Sequence, residues 1–327
     1  MAAHGAPLRP EDVDLSTVLA DAYLDNPVMT ASGCAAAGRE LHQFFDVAEL
    51  GAVVTKSIMR DPRSGRATPR MAETPSGMLN SIGLQGPGID AFLSTDLPWL
   101  LQHDARPIVS IAGGSLGEYA ELARRVGNSP GVAAIEVNIS CPNVENRGLV
   151  FACDPVQAGR VLSVVRRDVP RGVAVFAKLS PDVTDIVEVS RAVLEAGADG
   201  LVMINTLLGL HLDPGTLRPT LGGVTGGLSG PAVKPVALRA VWQVAAALPS
   251  VPIIGVGGIR TGADALEFLA AGASAVQVGT AIFNDPAAPI RVVRELRAEL
   301  AARGIGKVSE VIGRAHQPAS PVAQPLA

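Results

Sequence analysis

Short apolar runs, each closed by glycine, proline or a polar residue, recur along this 327-residue chain and alternate with longer segments of helical period. Four lie in the first half, at Pro27 to Ala31, Ala52 to Lys56, Pro107 to Ile111 and Ala134 to Asn138. Four more lie in the second, at Val173 to Leu179, Gly200 to Ile204, Pro252 to Val256 and Ala275 to Val278. Near-continuous apolar character is what strands covered on both faces require, hence a parallel sheet. Leu116 to Val126, Asp154 to Arg167, Asp185 to Ala196, Pro235 to Ala247 and Ala263 to Ala271 carry the helical period between them. Gly197 and Gly272 end two of these segments as helix C-caps. Eight such units predict an α/β fold, a single-domain (β/α)8 TIM barrel over residues 26–313, with an N-terminal segment, 1–25, and a C-terminal tail, 314–327. An open doubly wound sheet would need a switch point and a Gly-rich dinucleotide turn after an early strand, and neither is evident.

Composition narrows the function. With 48% apolar and 18% charged residues the chain can bury a large core. A net charge of -4, 3% aromatics and the lack of a basic tract argue against nucleic acid as a partner. Cys34, Cys141 and Cys153 form no short-spaced pair, so no metal or iron-sulfur site is expected on this chain. Glu11, Asp12 and Asp14 occupy the place where a secretory signal would be basic and then apolar. The uncharged stretch from Ala240 to Ile259 is broken by Pro249 and Pro252, which speaks against a membrane span. The expectation is a soluble, cytoplasmic protein.

A barrel of this kind carries its site on the loops that follow the strand C-termini. Two connections are long, Ser57 to Arg106 and Asn205 to Lys234, and the strand exits are nearly all polar or glycine. Any one exit can be read as a capped turn; the whole set is harder to explain that way. Gly257-Gly258 and Gly279-Thr280 end the seventh and eighth strands, where bare backbone N–H groups can cradle a phosphate. With Lys56 and Lys178 at other exits they suggest an anionic, flat ligand such as flavin mononucleotide, FMN, although either lysine could instead reach water. Cys141, ahead of Pro142 in a loop that contains Gly148, reads as a general base under a mobile cover, whereas Cys34 and Cys153 read as structural. Asn80, Asn138, Asn143 and Asn205 offer the donors and acceptors that a cyclic imide or amide would match.

The segments Asn26 to Gly33, Gly77 to Gln85, Asn138-Ile-Ser-Cys-Pro-Asn143, Lys178 to Pro181, Met203 to Thr206 and Gly226 to Pro231 together resemble the class 1 dihydroorotate dehydrogenases, from about Asn26 to Gly313. The cysteine in the fourth-strand motif is similar to class 1; the membrane-associated class 2 uses serine. Gly226 to Leu238 and Leu201 to Gly209 look more like the 1B form.

The resemblance implies oxidation of (S)-dihydroorotate to orotate in pyrimidine biosynthesis, with Cys141 taking a C5 proton while a hydride leaves C6 for FMN. It implies one FMN per chain and a partner subunit that carries FAD and an iron-sulfur cluster and passes electrons to NAD. It further implies a homodimer, extended to a heterotetramer by that partner. By the same resemblance Lys56 meets both substrate and flavin and counts with Cys141 as catalytic. Asn80, Ser81, Ile82, Gly83, Leu84, Asn138, Asn143, Asn205 and Thr206 hold the substrate. Ala31, Ser32, Lys56, Ser57, Ser110, Asn138, Lys178, Ile204, Gly230, Gly257, Gly258, Gly279 and Thr280 hold the cofactor. One departure stands out: Ser110 occupies a position where asparagine is expected at the flavin. Two other readings stay open, a dihydropyrimidine dehydrogenase-like barrel, whose substrate lacks the carboxylate, and a non-catalytic flavin-binding scaffold. The electron acceptor, NAD or fumarate, is not fixed by the sequence.

Overall fold

The chain is described by a computed structural model that covers residues 8–140 and 153–318. A hairpin of β1 (Thr17–Leu19) and β2 (Ala22–Leu24) comes first. The eight expected runs then appear as β3 (Val28–Thr30), β4 (Val53–Val54), β7 (Pro107–Ile111), β8 (Ala134–Asn138), β9 (Ala174–Lys178), β10 (Gly200–Met203), β13 (Ile253–Val256) and β14 (Ala275–Val278). They pair in parallel in the order β3-β14-β13-β10-β9-β8-β7-β4. The ring closes between β3 and β4 through the Met29–Ala52 bridge, where the Thr30 hydroxyl donates to the Val54 carbonyl at 3.1 Å and accepts from the Val54 N–H at 2.9 Å. The predicted barrel is therefore present.

Helices α1 (Ile89–Ala91), α2 (Leu97–Gln102), α3 (Leu116–Gly127), α4 (Pro155–Asp168), α5 (Ile186–Glu195), α6 (Lys234–Ala247), α7 (Gly262–Ala270) and α8 (Ala288–Ala302) follow in chain order. Helices α3 to α7 are the five expected from periodicity. Four of their starts are fixed by side chains that accept otherwise unpaired N–H groups: Ser115 for α3, Asp154 for α4, Asp185 for α5 and Thr261 for α7. Gly197 and Gly272 end α5 and α7 at φ of 104° and 114°, the left-handed conformation that only glycine adopts cheaply.

Period two along each strand divides the barrel wall into two faces. Val28, Val109, Ile135, Val137, Val175, Leu201 and Val276 point outward into the layer shared with the helices. Met29, Ile108, Ala134, Phe176, Val202, Ile254 and Ala275 point inward, joined by Leu19 and Leu24 of the hairpin at the N-terminal end. The inward row also carries polar residues nearer the C-terminal end, and these lead to the site.

The two long connections are not open loops. The first contains β5 (Met71–Thr74) and β6 (Gly77–Asn80), the second β11 (Leu207–Leu210) and β12 (Thr225–Ser229). All four pair as one antiparallel sheet in the order β11-β12-β6-β5, which brings Asn80 opposite Gly227. Among the described residues no helix is long and apolar enough to cross a membrane.

Candidate functional site

At the strand exits a cavity of about 430 Å³ opens, walled on one side by the barrel and on the other by β6 and β12. Ala31, Ser32, Lys56, Ser57, Asn138, Lys178, Ile204, Gly257, Gly258, Gly279 and Thr280 line it from the barrel. Asn80, Ile82, Leu84, Asn205, Thr206 and Gly230 line it from the two long connections. A second recess, about 520 Å³, shares Lys56, Ser57, Ile82 and Leu84 with it.

Three inward residues that sequence periodicity places on one parity meet at its floor, where Lys178 lines the cavity and Glu136 and Gln277 lie beneath it. Lys178 Nζ lies 3.2 Å from Glu136 Oε1 and 3.4 Å from Gln277 Oε1, and Gln277 Nε2 donates to Glu136 Oε2 at 2.8 Å. Glu136 is wholly buried. A buried charge persists only when paired and hydrogen-bonded, and here each partner is both. From this floor a polar chain climbs to the cavity. The Ser110 hydroxyl donates to Glu136 at 3.3 Å and meets Ser57 Oγ at 2.9 Å; Asn138 Nδ2 donates to Ser57 at 3.0 Å; Asn205 Nδ2 donates to Asn138 Oδ1 at 3.2 Å.

Not every expected residue reaches the wall. Ser110 is fully buried behind Ser57 and does not line the cavity, because its short side chain ends on Glu136. Ser81 turns away, its hydroxyl accepting from Arg66, and Gly83 backs onto Arg66 as well. Neither lines the cavity. Cys141 and Asn143 lie outside the described residues.

Cys34, expected to be structural, instead lines the cavity. Burial pushes its thiol up to about 11, against the pull of Lys178 and Lys56. Lys56 in turn is held below its ordinary value, chiefly by burial. Cys153 is exposed rather than buried, with its thiol donating to the Asp182 carbonyl at 3.6 Å.

Comparison with known proteins decides what this barrel is. The family model described as dihydroorotate dehydrogenase matches residues 14–300. The chain belongs to the dihydroorotate dehydrogenase family. The catalytic subunit of dihydroorotate dehydrogenase B (NAD(+)) from Geobacillus kaustophilus is 51% identical over 300 residues, covering 92% of this chain and 95% of the relative. Subunits of the same name from Geobacter sulfurreducens and Bacillus caldolyticus are 52% and 50% identical, each over 92% of this chain and over 97% and 95% of their own lengths. The chain is thus an oxidoreductase of class 1B.

Membership in the dihydroorotate dehydrogenase family implies a flavin, and the cavity suits one. The backbone N–H groups of Gly257, Gly258 and Gly279 find no acceptor among the described residues, which is the arrangement an anion completes. A side chain could not replace these hydrogens cheaply. A Cβ on Gly258, at φ 74°, would stand 2.7 Å from Lys234 Cβ and 3.0 Å from the Gly230 carbonyl. Thr280 Oγ1, 2.8 Å from Ser229 Oγ, ties the same end to β12. Two lysines, Lys56 and Lys178, also line the cavity, Lys178 already paired with Glu136.

Glu136, Gln277 and Cys34 are site residues that sequence reasoning missed. Glu136 had a signal: it is the one charge in the run Ala134 to Ile139 and shares parity with Asn138. Cys34 follows the exit Ala31-Ser-Gly33, whose turn carries it back to the wall.

Proposed function

We propose that this chain oxidises (S)-dihydroorotate to orotate, with FMN in the cavity, as the catalytic subunit of an NAD-linked enzyme. The observation that carries this reading is the convergence in one cavity of a glycine backbone cradle, two lysines and the asparagines Asn80, Asn138 and Asn205, in a chain about half identical to catalytic subunits of that name.

FMN, when bound, supplies the two-electron acceptor for the C6 hydrogen of the substrate. Gly257, Gly258, Gly279 and Thr280 would hold its phosphate, with Gly230, Ala31, Ser32, Ser57 and Ile204 around it and Lys178 toward the pyrimidine end of the ring. Lys56, half-buried, would meet the substrate carboxylate. Asn80, Asn138 and Asn205, with Thr206, would hold the dihydropyrimidine ring by its polar edges. Cys141 would take the C5 proton and Asn143 would join the asparagines that hold the ring; both roles follow from the resemblance carried by the fourth-strand motif. Residues 26–313 would form one catalytic barrel. Electrons would leave through a partner subunit with FAD and an iron-sulfur cluster, on a homodimer of this chain.

The test is product formation. Protein loaded with FMN and given an artificial acceptor should convert dihydroorotate to orotate and leave dihydrouracil untouched. Equal turnover of dihydrouracil would favour the dihydropyrimidine reading, and FMN binding without turnover of either would favour a scaffold.

A further inference from the structure

We propose that Glu136 is a positioning residue: its carboxylate sets the direction of a hydrogen-bond relay through Ser110 and Ser57 that turns the Asn138 and Asn205 amides to present N–H donors to the ligand. The identity of the ligand rests on the functional reading above; the relay itself rests on geometry alone.

The direction follows from counting hydrogens. Both Glu136 oxygens face donor atoms, Lys178 Nζ and Gln277 Nε2, so the carboxylate accepts and donates nothing. Ser110 has one hydroxyl hydrogen and gives it to Glu136. Its 2.9 Å contact with Ser57 is therefore a bond that Ser57 donates. Ser57 has then used its own hydrogen, so its remaining neighbours, Asn138 Nδ2 at 3.0 Å and Ser32 Oγ at 3.3 Å, must donate to it.

Asn138 is thereby held with nitrogen toward Ser57 and oxygen toward Asn205 Nδ2 and the Ser140 N–H, at 3.2 and 3.1 Å. Asn205 Oδ1 accepts from the Thr206 N–H at 2.8 Å. Each amide keeps one N–H hydrogen with no acceptor among the described residues, in the cavity wall. Donors, not acceptors, meet the ligand, and a charge two hydroxyls away decides it.

The competing explanation is that Asn138 and Asn205 are fixed by each other and by backbone alone. Substituting Ser110 separates the two, because it cuts the relay and leaves the Lys178–Glu136 pair intact. Titrating FMN-loaded Ser110→Ala with orotate and following the flavin spectrum should give a dissociation constant about tenfold above that of the unaltered protein, the scale of one or two lost hydrogen bonds. FMN affinity should fall by clearly less than orotate affinity, since the glycine cradle is untouched. Ser110→Thr, which keeps the hydroxyl, should restore orotate affinity. Glu136→Gln should weaken orotate binding as Ser110→Ala does, and Ser110→Ala carries the test if that variant fails to fold. Orotate binding unchanged in Ser110→Ala, or equally weak in Ser110→Thr, overturns the relay. Unaltered protein that takes up FMN but shows no response to orotate sinks the substrate reading instead.

Discussion

Asn80 stands opposite Gly227 in the β6–β12 ladder, and its Nδ2 donates to the Gly227 carbonyl at 3.3 Å. Two residues 147 positions apart, one on each long connection, thus join a single wall of the cavity. Gly227 permits this by lacking a side chain: a Cβ there would lie 2.2 Å from Thr206 Oγ1.

Gly227→Ala should displace Thr206 and Asn80 together and spare the glycine cradle. We expect orotate affinity to fall by tenfold or more, on the order of 1.4 kcal/mol, with FMN retained. Parallel titrations with the two ligands check this, and loss of FMN alone would contradict it.

Gly258→Ala should do the reverse. At φ 74° alanine is strained, and its Cβ would crowd Lys234 and the Gly230 carbonyl. The purified variant should be folded by circular dichroism, colourless, and about tenfold or more weaker for added FMN.

The barrel was legible because its strands are short, apolar and punctuated by glycine and proline, and all eight fall within a few residues of their expected places. The extra sheet was not. Thr225–Ser229 reads Thr-Gly-Gly-Leu-Ser and Met71–Thr74 is half exposed, so neither carries a strong strand pattern. Their pairing is set by long-range register, which local sequence does not encode. Most of the site was legible as strand exits. Glu136 and Gln277 are hidden by the apolar content of the strands they sit in, and Ser110 shares the parity of the wall residues although its short side chain ends one layer below.

Lys178→Met should remove the cation from a carboxylate that has no solvent to fall back on, since the Lys178 and Glu136 side chains are 6% and 0% exposed. The cost should be about 3–5 kcal/mol of unfolding free energy, read from urea denaturation. Adding Glu136→Gln to that variant should recover a large part of the loss. Strictly additive losses would contradict the pairing.

Lys56 links affinity to pH. Burial lowers its value below the ordinary 10.5, so its charge is lost earlier on raising pH than that of an exposed lysine. Between the two values the unfolded chain binds more protons, so the stability tied to Lys56 rises with pH while attraction for the substrate carboxylate falls. Orotate affinity should therefore drop through that window in the unaltered protein. In Lys56→Gln it should be weak throughout and lack that step. Matching pH profiles for the two proteins would remove Lys56 from carboxylate binding.

The most direct test of the whole account is an anaerobic visible spectrum of the FMN-loaded chain before and after dihydroorotate, with dihydrouracil as control. Selective bleaching of the flavin by dihydroorotate is the predicted result. A flavin that stays oxidised with dihydroorotate would contradict it.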